Sequence, residues 1–461
     1  MDRTDGSRRQ RKNTPLTKGE KWLLGAGLVL VGLFFTYAIS SYILDLDPKV
    51  SIPPPAPIPS PNALDYYIQG RSLLTKQIIV GNGKTARTID LDRIRKNISK
   101  RFLVQSPSNW PDKTLTLADM QALTAKNSAV FPIVQQALNT EYRNPTIRSY
   151  QSSTEFPYYS LRDITTLLVI DGDTKCLSGD MTGGAERYLD AIHMGVDVPR
   201  GGTIVIAQIG RSAQSQGRTG LWSFHDKLSG SQARRAARRL ETIVSRQVPV
   251  VEVLQEEKWY GQARLLEWFQ EPGWRNGLGN RWSLSSLRAA ISLQLTSKRT
   301  VMRNYTRCLD AIIANTKLPY ALQKEIPNSG DFISNDYANS ARYTPLYFRR
   351  NDTMNALLIV SLALHAYRAD HGQYPASLKE LVPAYLRAIP NDPFAVQGPL
   401  LYKRANKSYV LYSVGPDGTD NGGQACLGRD LQNGKWVMIS ASIGGVGKNV
   451  TGDIVAGVTL P

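Results

Sequence analysis

Residues 352–392, DTMNALLIVSLALHAYRADHGQYPASLKELVPAYLRAIPND, read as helix, turn, helix. Over Asn355–Ala369 the apolar residues Leu357, Leu358, Leu362 and Tyr367 follow helical spacing, and Gly372 can close the helix in a left-handed cap. Ser377 and Glu380 form an S-x-x-E capping box that opens a second, short helix, which Pro383 interrupts. Strand-like runs follow at Leu400–Arg404, Tyr409–Val414 and Trp436–Ser442, separated by turns rich in Gly and Asp. Residues 352–461 therefore form a small α+β domain.

The same region carries fixed turn residues: Ala366, Tyr367, Asp370, Gly372, Tyr374 and Pro375 after the helix, Asp392 and Pro393 before the strands, and Tyr412, Ser413, Gly415, Asp417 and Gly418 after them. At these offsets the domain resembles the C-terminal domain of the major (G-type) pseudopilin of type II secretion systems. The resemblance implies a calcium site in the loop after the strands, with Asp417, Asp420, Asn421 and Asp430 as its oxygen donors. An Asx-rich turn that needs no metal is the other reading of that loop. The processing site of pseudopilins is missing, and about 300 residues separate the apolar N-terminal segment from the pseudopilin-like helix, which argues against assembly into a pseudopilus.

Upstream, residues 62–345 read as a helical body. Helical patterns cover Thr116–Thr140, Leu161–Ser178, Gly184–Gly195, Thr203–Lys227, Ser231–Arg246 and Val250–Gln270. Within Leu168–Met194, the residues Gly172, Gly179, Gly184, Tyr188 and Ala191 resemble one tetratricopeptide repeat, with no second copy at the required period. An irregular set of helical hairpins is the expected form. The helix SQARRAARRLETIVSRQ stacks Arg234 over Arg238 and Arg235 over Arg239, like charges one turn apart that need an anionic counterpart. Glu252, Glu256 and Glu257 on the next helix offer one inside the chain, and an external anionic ligand offers the other.

At the N-terminal end, residues 22–44, WLLGAGLVLVGLFFTYAISSYIL, contain no charged side chain, and seven cations against three acids precede them. Length and flanking charge predict a single transmembrane helix with a basic cytoplasmic tail, 1–21, and everything after it outside the cell. Residues 45–61 include PKVSIPPPAPIPSP, a proline-rich linker. The expected fold class is thus a membrane-anchored, mainly α protein with one N-terminal transmembrane helix, a helical-hairpin body and a small α+β head.

Fifty-six Lys and Arg face 38 Asp and Glu among 461 residues, a net charge of +18 that asks for an anionic partner. With most of that charge outside the cell, the partners expected are the lipid bilayer, an anionic envelope polymer or a secretion-related protein, and cytoplasmic nucleic acid is disfavoured. No H-E-x-x-H, G-x-S-x-G or complete phosphate loop occurs, and no two of the four histidines share a helix face at i,i+4. The chain reads as a non-catalytic binding and scaffolding protein of the cell envelope. Its rivals are a component of a type II secretion or DNA-uptake machine and a cell-wall-acting enzyme.

Overall fold

The structure, a computed structural model, describes residues 17–82, 86–95, 115–145, 148, 158–272, 274, 296–326, 328, 330–425, 427–429, 436–438 and 451–457. The apolar segment folds as helix α1, Lys18–Asp45. Among the described residues, however, no helix is long and apolar enough to cross a membrane, which overturns the transmembrane helix expected over 22–44. The mainly helical architecture stands, without an established span.

Helix α2, Ala63–Leu73, starts at Asn62, whose side chain accepts from Leu64 N. It leads into the antiparallel hairpin β1, Gln77–Val80, and β2, Arg87–Asp90. The single pattern expected over Thr116–Thr140 is two helices, α3, Leu117–Lys126, and α4, Val130–Leu138. Thr116 and Asp119 form a reciprocal capping box at the start of α3. Helices α5, Tyr158–Leu177, and α6, Met181–Asp197, make the hairpin anticipated around Gly179, which holds φ +91° before the N-cap Asp180.

Helix α7, Ile204–Phe224, packs on α5 and α6 so closely that small residues are obligatory. A Cβ on Gly210 would stand 2.6 Å from the Gly195 carbonyl oxygen, and one on Gly172 would stand 2.5 Å from the Tyr188 ring. Tyr188 is fully buried between these glycines and donates to Asp173 at 2.6 Å. The absence of side chains at 172 and 220 is what makes room for its ring, and Gly217 lets α7 approach the Tyr188 backbone.

Helix α8, Gly230–Val244, is the arginine-rich segment, capped reciprocally by Ser229 and Gln232. Helices α9, Val250–Trp268, and α10, Lys298–Asn315, follow. Then α11 runs unbroken from Phe332 to His371, 40 residues with Pro345 inside, and ends at Gly372 with φ +73°. The helix expected over Asn355–Ala369 is only its last part, so α11 crosses the boundary drawn between residues 345 and 352.

Its two ends serve different neighbours. Ile333, Ala338, Ala341 and Phe348 join a core with Val253, Leu265, Val301, Tyr305 and Leu309 of α9 and α10. Leu357, Leu358, Leu362, Ala363 and Ala366 join the larger core, which runs from α2 through α8 into the head. The head adds a capping box at Ser377 and Glu380, a sheet of β3, Leu401–Ala405, β4, Ser408–Ser413, and β7, Ile454–Val455, and a hairpin of β5, Leu427–Arg429, and β6, Trp436–Met438. Sheet order is β3-β4-β7, with antiparallel neighbours.

Replacing Gly195 or Gly210 by Ala forces backbone apart between α6 and α7, because the obstructing atoms include carbonyl oxygens that no rotamer change can move. Each change is expected to destabilise the protein by about 1–3 kcal/mol or more, read as a lower urea midpoint at unchanged slope. Ala at Gly179, where nothing crowds a Cβ, should cost less, through backbone conformation alone.

Candidate functional site

A cleft of about 680 Å³ opens where the helical body meets the head. Val244 of α8, Val248, Val250 of α9, and Phe348 and Ile359 of α11 give it apolar walls, and Pro390 and Pro393 close it from the head. Arg349, Asp352 and Asn355 line it one helical turn apart or less, because α11 turns this face toward α8 and α9.

Side chains of both halves hold the cleft in shape. The Arg349 guanidinium donates to the carbonyls of Pro393 at 2.9 Å, Leu318 at 2.7 Å and Thr316 at 3.3 Å, so one side chain fastens the head to the end of α10. Glu241 accepts from the Arg387 backbone N–H at 2.9 Å, and the Arg387 guanidinium donates to the Thr242 hydroxyl at 3.1 Å. These bonds tie the C-terminal turn of α8 to the loop before the head strands.

Behind the cleft lies a buried polar cluster. Arg218 of α7 donates to the side-chain oxygens of Asn351 at 2.8 Å and Asn355 at 2.9 Å. The amides of both asparagines donate to the Gln214 oxygen, at 2.8 and 2.9 Å, and the Gln214 amide donates to the Gly195 carbonyl at 3.0 Å. Burial pushes Arg218 down to about 9. Burial likewise pushes Asp352 up to about 7, against the opposing attraction of Arg218 and the hydrogen bond from Asn351. Asp352 is thus a titratable group at the cleft wall that changes charge near neutral pH.

The arginines singled out in the sequence lie on α8, and their in-chain partners differ from the expected acids. Arg234 pairs with Asp370 and stacks 4.5 Å over the Tyr385 ring, and Arg238 donates to the Pro383 carbonyl. Arg239 pairs with Glu186 and, at 2.6 Å, with Asp190. Arg235 is exposed. Of the acids on α9, Glu256 pairs with Arg148 at 3.0 Å. Glu257 accepts from Ile204 N at 2.9 Å, which caps α7 where Thr203 makes no side-chain cap. The arginine helix is therefore mostly an internal joint between body and head.

In the head loop Asp417 accepts from Thr419 N and Gly452 N, and Asp420 accepts from Gly422 N and the Tyr412 hydroxyl. Asn421 N and Gly423 N donate to Asp453, whose carboxyl is pushed up by burial and by its neighbours Asp420 and Asp417. Among the described residues no group of three His, Cys, Asp or Glu could hold a metal ion, and Asp430 lies outside them. Each of the carboxylates of Asp417, Asp420 and Asp453 accepts at least one backbone N–H from the loop.

Sequence reasoning did not find the cleft or the buried cluster. A signal was there in the paired spacing of Gln214 with Arg218 and Asn351 with Asn355, polar residues at i,i+4 on their helices. No family model matches the chain, and no curated protein or solved structure matches it.

A raised carboxyl means the folded chain holds a proton that the unfolded chain has released between pH about 4 and 7. The part of the stability due to Asp352 is therefore lost as pH rises through that window. Asp190 and Asp197, both pushed up to about 6 by burial, act in the same direction. His193, pushed down to about 4 by burial, opposes them, so the informative quantity is the variant's: between pH 5 and pH 7.5 the melting difference of Asp352→Asn should shift in favour of the higher pH relative to the parent. An unchanged difference in that variant would contradict the assignment.

Proposed function

We propose that the chain is a non-catalytic binding and scaffolding protein of the cell envelope, whose cleft between body and head receives an extended segment of a partner polypeptide. The observation that carries this reading is the cleft itself: about 680 Å³, walled mainly by apolar side chains from both halves, with Asp352 as a polar contact at its wall. Bonds from Arg349 and Arg387 hold the walls in place before a partner arrives, which lowers the ordering cost of binding. The basic composition and the pseudopilin-like turn residues of the head support an envelope setting and make a secretion-related protein the first partner class to examine.

Peptides selected from a display library on the full chain should share apolar residues at alternate positions. Val244→Trp and Val250→Trp, which fill the cleft from partly buried positions, should abolish their binding while leaving the melting temperature within a few degrees of the parent. Peptides that bind these variants as well as the parent would rule the cleft out as the docking site.

A further inference from the structure

A second groove, of about 880 Å³, lies between α10 and the segment that follows α1, and its chemistry differs from that of the cleft. One wall carries Arg299, Arg303 and Arg307, and the other is the segment Pro48–Ser51, which includes Lys49. All four cations are exposed. The three arginines recur every fourth residue, so their guanidiniums form a row on one helix face with a rise of about 6 Å between neighbours. Like charges in that row destabilise the bare helix unless an anion lies against it.

The acids nearby are already engaged. Asp310 pairs with Lys258 at 2.7 Å, and Asp47 pairs with Lys298 at 3.0 Å and accepts from Gln270 at 3.2 Å. The Lys298 hydrogen bond holds the Asp47 carboxyl below its usual range. Arg299 donates through Nε to the Asp47 carbonyl. Among the described residues, Arg303 and Arg307 form no ion pair.

The location points to one source of anion. The groove wall begins three residues after α1 ends at Asp45, and α1 exposes Trp22, Leu28, Leu30, Phe34 and Ile39 on all sides, each more than half accessible. A surface that combines an apolar interior with a plane of phosphates satisfies both features at once. We infer that the groove of Lys49, Arg299, Arg303 and Arg307 binds the phosphate headgroups of acidic lipids while α1 lies against the lipid's apolar part. This inference does not depend on the peptide cleft.

Apolar contact through α1 alone would favour neutral and acidic vesicles equally, so the informative quantity is the ratio between them. The full chain should partition onto phosphatidylcholine vesicles containing phosphatidylglycerol on the order of tenfold better than onto phosphatidylcholine alone, and the preference should fade at high salt. Arg303→Gln with Arg307→Gln should remove most of that preference, Arg303→Lys with Arg307→Lys should retain it, and Arg235→Gln, an exposed cation elsewhere, should leave it intact. Equal preference in the double glutamine variant and the parent would overturn the inference. So would loss of the preference on adding millimolar inorganic phosphate, which would make free phosphate the ligand. Unchanged melting of the double variant shows that the fold survives.

Discussion

Two helices cross at Gln214, Arg218, Asn351 and Asn355, and their register is set by four polar side chains that have no water to turn to. A buried amide or guanidinium costs several kcal/mol unless each donor finds an acceptor. Here the Gln214 oxygen takes both asparagine amides, and Arg218 reaches both asparagine oxygens. Sliding α11 along α7 by one turn would break all four bonds. The cluster thereby fixes which residues of α11 face α8 and α9, and it fixes the cleft wall at Arg349 and Asp352.

The 40 residues of α11 carry that register in both directions. Toward Phe332 the helix enters the core of α9 and α10, and toward His371 it enters the core shared with the head. Helix α8 then fastens the head a second time. Gly230 approaches Ala369 closely, Ala233, Ala236 and Ala237 are buried, and Arg234 reaches Asp370. The row of arginines that suggested an external anion is held mainly by acids and carbonyls of the same chain. An outward-facing row of similar spacing occurs on α10, where Arg303 and Arg307 have no such counterparts among the described residues.

Local signals in the sequence were legible where one or two residues decide a backbone conformation. Gly372 ends its helix in the left-handed region, Ser377 and Glu380 cap each other, and Asp180 opens the second helix of its hairpin. The motif residues of the head also meet in space: Asp392 accepts from the Ser413 hydroxyl and Val414 N, joining two turns about twenty residues apart. What spacing alone could not show was continuity and partnership. Pro345 and the polar run Arg349–Asp352 look like a break, yet Pro345 forfeits only one backbone bond in a helix held by two cores. The apolar length of residues 22–44 gave a span that the described structure does not support. In the head loop Asp417 and Asp420 accept the backbone N–H groups of Thr419 and Gly422.

Body and head form one cooperative unit through α11 and its polar cluster. Hydrogen exchange of the full chain in increasing denaturant tests it most directly, by comparing amides of α6 and α7 with those of β3 and β4. A common opening free energy is expected for the two sets, falling together in Asn355→Ala, where Gln214 and Arg218 each lose a partner. Head amides that open at lower denaturant than those of α6 and α7, and that ignore this substitution, would contradict it.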